Sequence, residues 1–279
     1  MAPLGFLRRM ALNSDDTSKK LLEGLGFSVT KIPENNDRKE ADFLAKFGGD
    51  NFLIEAKVKS DSESEINKKE DTLSRGDVFI SEASLGRDET ISTIIRHASK
   101  QLRSSSSFHD HNYKLIFIFC VDINTKTKSD KVIDTLYGRT QIIEMNKPNP
   151  VLKPCYFFRH ADLYRRKDDI DGVVIGYEDL QGNANFQLCL NTYSDNYSKI
   201  KGSLLVSEFG AALVDPISEE ENQKAYIPDI NIPRSKPNES YLTPLYNPML
   251  HHLKEKYGTE LLMNVDFDSP EFSIRGCGD

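Results

Sequence analysis

The chain has 279 residues and a formal net charge of −7, with 38% hydrophobic and 28% charged residues. This length suits one large domain or two small ones, and the composition excludes the disordered and fibrous classes. The longest apolar run, residues 115–121, is far shorter than the roughly 20 residues of a membrane-spanning helix. The N-terminal residues lack the order of a signal peptide. We therefore expect a cytoplasmic protein that does not enter a membrane.

Charge and cysteine usage narrow the classes of partner and site. Residues 215–279 hold six Lys or Arg and twelve Asp or Glu, so most of the negative excess lies in the last quarter of the chain. The nearly neutral remainder is compatible with an anionic partner. The four cysteines are far apart and lack the spacing of a zinc site, which predicts reduced, buried thiols.

The first half of the chain predicts a compact set of alternating elements. Apolar periodicity and turn residues indicate a helix over residues 14–25, a strand over 27–32, and a hairpin of strands over 41–47 and 50–59. The hairpin strands are joined by Gly48-Gly49, a strong two-residue turn signal.

The segment after the hairpin, residues 60–87, is polar and weakly periodic, and predicts a long loop with one short helical turn. An amphipathic helix over residues 88–102 and a strongly apolar, central strand over 114–121 follow. Weaker patterns predict a helix over 129–137 and strands over 155–159 and 172–177.

Six prolines between residues 216 and 248 exclude a long helix or a central strand there. We expect an extended arm that ends in a short helix over residues 248–256. The predicted organisation is an α/β domain over 1–214, with its core in 14–121 and accessory elements in 122–214. A Pro-rich acidic arm over 215–279 completes the chain.

The two-residue loop fixes the register of the hairpin. Paired residue numbers then sum to 97, and Asp42 lies opposite Glu55, with Lys57 two residues along on the same face. The other face is apolar and belongs to the core. Because directly opposed like charges destabilise a sheet, the pair suggests a bound cation. The alternative is a solvated polar face, and a register slip of one residue would put the two carboxylates on opposite faces.

Mg²⁺ or Mn²⁺ suits such a site, since hard cations take oxygen ligands from one or two carboxylates. The backbone carbonyl of Ala56, between Glu55 and Lys57, could complete the ligand set. Lys57 would stand beside the cation and an incoming phosphate.

The residues Glu40-Ala41-Asp42 and Glu55-Ala56-Lys57 together resemble the PD-(D/E)xK motif of the restriction-endonuclease-like nuclease superfamily. Ala41 stands where that motif often has proline. The order of helix, three strands, helix and strand over residues 14–121 is similar to the core of the superfamily. The resemblance implies an α/β fold with this core and C-terminal additions.

The resemblance also implies roles for individual residues. Asp42 and Glu55 match the metal-binding carboxylates, and Lys57 matches the lysine that positions or activates the attacking water. Glu23 on the first helix matches an acidic residue that many members carry, with an exposed helix-end glutamate as the alternative. Gln101 on the later helix matches a glutamine near the scissile phosphate, with a surface glutamine as the alternative.

A dense basic tract, Arg165-Arg166-Lys167, could hold phosphates together with Lys59, although the acids that follow the tract also fit a solvated loop.

The function implied is a Mg²⁺-dependent nuclease that hydrolyses phosphodiester bonds, with DNA favoured over RNA and restriction or antiviral defence as a setting. Two alternatives remain: a catalytically silent nuclease-like module that binds nucleic acid or protein, and a structural protein that interacts through its arm. A protein partner or a homodimer is left open.

Overall fold

The computed structural model describes residues 14–35, 38–145, 148–179, 181–229, 248–259, 262–265 and 268–273. The helices are α1 (Ser14–Gly24), α2 (Glu63–Ser74), α3 (Glu89–Ser105), α4 (Thr125–Tyr137), α5 (Asp162–Arg165), α6 (Tyr197–Lys201), α7 (Leu204–Phe209), α8 (Pro216–Glu221) and α9 (Pro248–Tyr257). The strands are β1 (Ser28–Lys31), β2 (Phe43–Phe47), β3 (Asp50–Lys59), β4 (Phe79–Ser84), β5 (Tyr113–Cys120), β6 (Thr140–Glu144), β7 (Val151–Cys155), β8 (Gly172–Glu178), β9 (Ala184–Leu190), β10 (Leu213–Val214), β11 (Leu262–Val265) and β12 (Asp268–Ser273).

A seven-stranded mixed sheet in the order β1-β2-β3-β5-β8-β9-β10 organises the fold. The strands β3, β5 and β8 run parallel at its centre, while β1, β2 and β3 are antiparallel neighbours. The central strand β5 is buried along nearly its whole length, which explains its continuous apolar sequence. The predicted α/β class and the central position of this strand are confirmed.

Helices cover both faces of the sheet. On one face, α1 and α7 contribute Leu22 and Leu205 to an apolar cluster with Phe43 of β2. On the other face, α3 and α4 contribute to a second cluster that includes Leu53 of β3. The hairpin therefore has apolar contacts on both faces, and its polar side chains lie beside a buried core rather than on a fully solvated surface.

Helix α3 forms where the amphipathic pattern predicts it. Asp88 is its N-cap, and the Asp88 carboxylate accepts hydrogen bonds from the backbone N–H groups of Thr90 and Ile91. The apolar stripe of α3, which includes Ile95 and Leu102, is fully buried. Burial of this stripe determines which face of α3 is exposed to solvent.

The prediction of a long loop over residues 60–87 is wrong. This segment forms α2 and β4, and a capping box between Ser62 and Glu65 starts the helix. None of the residues of α2 is buried, so the helix has no apolar stripe for a periodicity test to detect. Strand β4 pairs with the distant β12, a partner that local sequence does not reveal.

The strand predicted over residues 155–159 is also misplaced. Strand β7 ends at Cys155, and Phe157 adopts a left-handed backbone with φ of 59°. A bulky residue in that conformation cannot continue an extended strand. The turn that follows carries Phe157 and Phe158 into the core.

The region after residue 214 is not simply an extended arm. Residues 216–221 are helical, β11 pairs with β6, and β12 pairs with β4. Tyr226 and Leu253 share an apolar cluster with Ile142. The described residues after 214 thus pair and pack with the rest of the fold, and the predicted short helix is confirmed as α9. The prolines at 233, 237 and 244 lie outside the described residues.

Two further sequence predictions concern cysteines and membranes. Cys120, Cys155 and Cys189 are buried free thiols, as predicted, and Cys277 lies outside the described residues. Desolvation raises the pKa of Cys120 to about 12, so this thiol is unreactive. Within the part of the chain that the structure describes, no helix is long and apolar enough to cross a membrane.

Candidate metal-binding active site

The hairpin has the register that its glycine turn predicts. Phe47 pairs with Asp50 and Phe43 pairs with Ile54, so partner numbers sum to 97 along the whole ladder. Both glycines have positive φ, which a two-residue hairpin turn requires. Asp42 directly precedes β2 and Glu55 directly follows Ile54 in β3, which brings the two carboxylates to the same end of the hairpin.

A direct contact joins Asp42 to the backbone between the other two motif residues. The Asp42 carboxylate (Oδ2) accepts a hydrogen bond of 2.8 Å from the backbone N–H of Ala56. Because the N–H and C=O of a strand residue point to the same edge, the Ala56 carbonyl also faces the side on which Asp42 lies. Asp42, Glu55 and Ala56 therefore present oxygen atoms to a common space.

Glu55 is the most buried member of the site, with a side chain that is 0% exposed. Desolvation and the nearby charge of Asp42 raise the pKa of Glu55 to about 8. Desolvation likewise raises the pKa of Asp42. A pair of carboxylates held this way favours protonation, or another positive charge, over two bare negative charges.

Lys57 supplies part of that positive charge. Its ammonium group forms an ion pair with Glu55 Oε1, and its side chain remains 27% exposed. The other Glu55 oxygen, Oε2, is buried and has no hydrogen-bond partner. Lys57 therefore satisfies one oxygen and leaves the second available, while its own exposed part can meet a ligand from solvent.

These donors fit a hard divalent cation. The site offers two carboxylates and one backbone carbonyl, all oxygen ligands of the kind that Mg²⁺ and Mn²⁺ prefer, and the unsatisfied Glu55 Oε2 is an acceptor that needs a partner. Among the described residues, no group of three or more His, Cys, Asp and Glu side chains is arranged to hold a metal ion. A cation here would complete its coordination with water or with substrate oxygens.

Glu23 lies away from this site. It is exposed near the C-terminal end of α1, where its nearest ion-pair partner is Lys19 at 3.9 Å. That end of the helix packs near the hairpin turn, since Gly26 approaches Phe47. No contact in the described residues joins Glu23 to Asp42 or Glu55, and the catalytic role of Glu23 stays a prediction.

Asp15 is the acidic residue of α1 that acts on the site. Its negative charge contributes to raising the pKa of Asp42. It is held by an ion pair of 2.7 Å with Lys31, and Lys31 pairs with Phe43 next to Asp42. The antiparallel order of β1 and β2 places the N-terminal turn of α1 at the site. That order could have identified Asp15 from the sequence.

Gln101 lies beside the site but contacts protein rather than open space. Its side-chain amide donates a hydrogen bond of 3.2 Å to the backbone carbonyl of Glu40. Ser105, also on α3, accepts a hydrogen bond of 2.6 Å from the backbone N–H of Ala41. Gln101 and Ser105 thus fix the segment that leads into Asp42, and Gln101 is a positioning residue.

The predicted phosphate-binding residues divide into two groups. Lys59 lies on the same face of β3 as Lys57, two residues further along. Arg165 and Lys167 are exposed at α5 and the turn after it. Arg166 is committed internally, because its guanidinium lies 3.3 Å from the fully buried carboxylate of Asp162. No contact in the described residues joins this basic tract to Asp42 or Glu55, and its role in phosphate binding stays a prediction.

Comparison of the chain with protein-family models, with curated proteins and with solved structures gives no significant match.

Proposed function

We propose that this protein is a metal-dependent nuclease that hydrolyses phosphodiester bonds, with DNA favoured over RNA as substrate. The observation that carries the proposal is the meeting of Asp42 and Glu55 beside Lys57 at the open end of the hairpin. A fully buried carboxyl group beside a second carboxylate is costly to ionise unless a proton or a cation is shared between them. The resemblance of the motif to PD-(D/E)xK nucleases gives this arrangement its chemical interpretation.

In this proposal Asp42, Glu55 and the Ala56 carbonyl hold Mg²⁺ or Mn²⁺. The bound cation would neutralise phosphate charge and make a water molecule more acidic. During hydrolysis, a bond forms between the water oxygen and phosphorus, and the bond from phosphorus to the leaving sugar oxygen breaks. The water gives up a proton and the leaving oxygen gains one.

Lys57 has a defined part in this chemistry. Its ammonium group is anchored to Glu55 Oε1 and partly exposed, so it can donate a hydrogen bond to a phosphate oxygen. Negative charge on the phosphate oxygens grows as the water attacks, and a donor that is already in position stabilises it. Asp15 adds negative charge near Asp42, which strengthens the attraction of the site for a cation.

A cleavage assay tests the proposal. Supercoiled, nicked and linear DNA and a single-stranded RNA are incubated with the full chain in Mg²⁺, in Mn²⁺ and in EDTA. We expect cleavage that requires the metal and is abolished in Glu55→Gln and Asp42→Asn. Lys57→Met should also lose activity. Its matched control is Lys46→Met, because Lys46 is exposed on the same hairpin at the end near the turn. Cleavage by Glu55→Gln at the parental rate overturns the proposal.

A further inference from the structure

The charge on helix α3 is unlike that of the rest of the chain. Residues 90–105 contain Arg96, His97, Lys100 and Arg103 and no Asp or Glu, in a protein with a net charge of −7. Arg96 and Lys100 are four positions apart, so their like charges share one face of the helix, an arrangement that destabilises a helix slightly. The dipole of α3 favours cations in its last turn, which accounts for Arg103 but not for Arg96 in the middle of the helix.

The cations of this face differ in their partners. Arg103 is engaged, since its guanidinium forms a hydrogen bond of 2.7 Å with the carboxylate of Asp169. Arg96 and Lys100 are exposed, and neither forms an ion pair or side-chain hydrogen bond with the described residues. Two exposed cations on one helix face, with no internal partner in the described structure, are available to an external anion.

The neighbouring face of α3 lies beside the candidate active site. Gln101, next to Lys100, is hydrogen-bonded to the backbone of Glu40, and exposed Lys39 directly precedes Glu40. Lys39 also has no ion-pair partner among the described residues. Desolvation and the positive charges of Arg96, Lys100, Lys39 and Lys57 lower the pKa of His97. All four cations therefore lie near His97, which places Lys39, Arg96 and Lys100 in the same neighbourhood as Lys57.

We propose that Lys39, Arg96 and Lys100 form a phosphate-binding track, which holds the nucleic-acid backbone next to the scissile phosphate. The inference rests on the proposed nuclease function and adds to it the surface that the substrate follows. A nucleic-acid strand carries regularly spaced negative charges, and unpaired Lys and Arg side chains bind them by displacing condensed counterions. The negative net charge of the protein elsewhere would keep the strand on this face.

Binding without cleavage tests the track separately from catalysis. The full chain is titrated in EDTA against fluorescently labelled duplex DNA, single-stranded DNA and RNA, and anisotropy is recorded over a series of salt concentrations. The test variant is the double substitution Arg96→Gln with Lys100→Gln. Its matched control is Lys20→Gln with Lys46→Gln, which removes two exposed cations from α1 and from the turn end of the hairpin. Thermal unfolding verifies that all variants are folded.

We expect the test variant to bind at least about tenfold more weakly at ~0.1 M salt, with a salt slope shallower by about 2, one for each lost phosphate contact. The control variant should bind within about twofold of the parental chain, since its cations lie off the track. The conservative single variant Arg96→Lys should retain most of the affinity, because a cation is kept at that position.

Three results overturn the track: no binding of any nucleic acid by the parental chain in EDTA, equal weakening by the test and control variants, or binding by the test variant as tight as that of the parental chain. All three are distinguishable from failure of the nuclease proposal. If binding depends on Arg96 and Lys100 but no metal supports cleavage, the track stands and the nuclease function falls. If metal-dependent cleavage occurs and the test variant binds as tightly as the parental chain, the nuclease function stands and the track falls.

Discussion

Replacement of Glu55 by glutamine should stabilise the metal-free protein, and the effect should grow with pH. The pKa of Glu55 is raised from 4.5 to about 8 by desolvation and by the charge of Asp42. Between these two values the folded protein keeps a proton that the unfolded chain has released. The free energy of unfolding therefore falls as the pH rises through this range.

The size of the effect follows from the two pKa values. At about 1.36 kcal/mol for each unit of pKa, ionising Glu55 in its folded environment costs at most about 5 kcal/mol by the time the pH exceeds 8. That is a large fraction of the ~5–15 kcal/mol by which a typical domain is stable. Glu55→Gln keeps the shape of the side chain and removes the ionisation, so the variant should escape this loss.

Urea unfolding in EDTA measures the difference. The parental chain and Glu55→Gln should have similar unfolding free energies near pH ~5, and the variant should be more stable by several kcal/mol near pH ~8.5. Glu23→Gln is the matched control, because Glu23 is exposed, and its effect on the free energy of unfolding should stay within about 0.5 kcal/mol at every pH.

Added Mg²⁺ should stabilise the parental chain more at high pH than at low pH, since the ligand carboxylates must be deprotonated. A stability difference between parent and Glu55→Gln that does not change with pH refutes the reasoning.

Three further predictions concern catalysis and stability. Lys57→Met should lower the initial rate of metal-dependent cleavage at least about a hundredfold, because it removes the donor to the phosphate. A loss of rate no larger than that caused by the control Lys46→Met would contradict this role. Asn191→Leu should destabilise the fold by about 2–3 kcal/mol in urea, since the buried Asn191 amide donates to the backbone carbonyls of Leu163 (3.2 Å) and Ile170 (2.7 Å), which would lose their partner. Ser62→Ala should destabilise α2 by about 1 kcal/mol, seen as roughly fivefold faster hydrogen exchange in that helix. Global unfolding should be unchanged because α2 buries no side chain, and a lower global stability would show that α2 is coupled to the core.

The elements that the sequence predicts correctly are those whose signals are local. The hairpin register depends on two glycines and on the alternation of apolar and polar residues, and both signals lie within a short stretch of sequence. Helix α3 has a long amphipathic pattern, and strand β5 has a continuous apolar run. These patterns are enough to bring Asp42 and Glu55 to the same end of the hairpin, because the register of the strands is fixed once the loop length is set.

Other features depend on partners that are distant in sequence. Strand β4 exists through its pairing with β12, nearly two hundred residues later, and α2 has no buried face to mark it. The resemblance pointed to Glu23 on the first helix, and the antiparallel packing of β1 on β2 brings Asp15 of the same helix close enough to act on Asp42.

The sequence by itself determined which residues form the motif and that they share one face of a hairpin. Only the tertiary structure decided that Glu55 is fully buried, because its surroundings come from β5 and α3 as well as from its own hairpin. Burial sets the electrostatic cost of a carboxylate, and that cost depends on the low polarity of everything packed around it. A property that sums contributions from many distant segments cannot be read from the spacing of three residues.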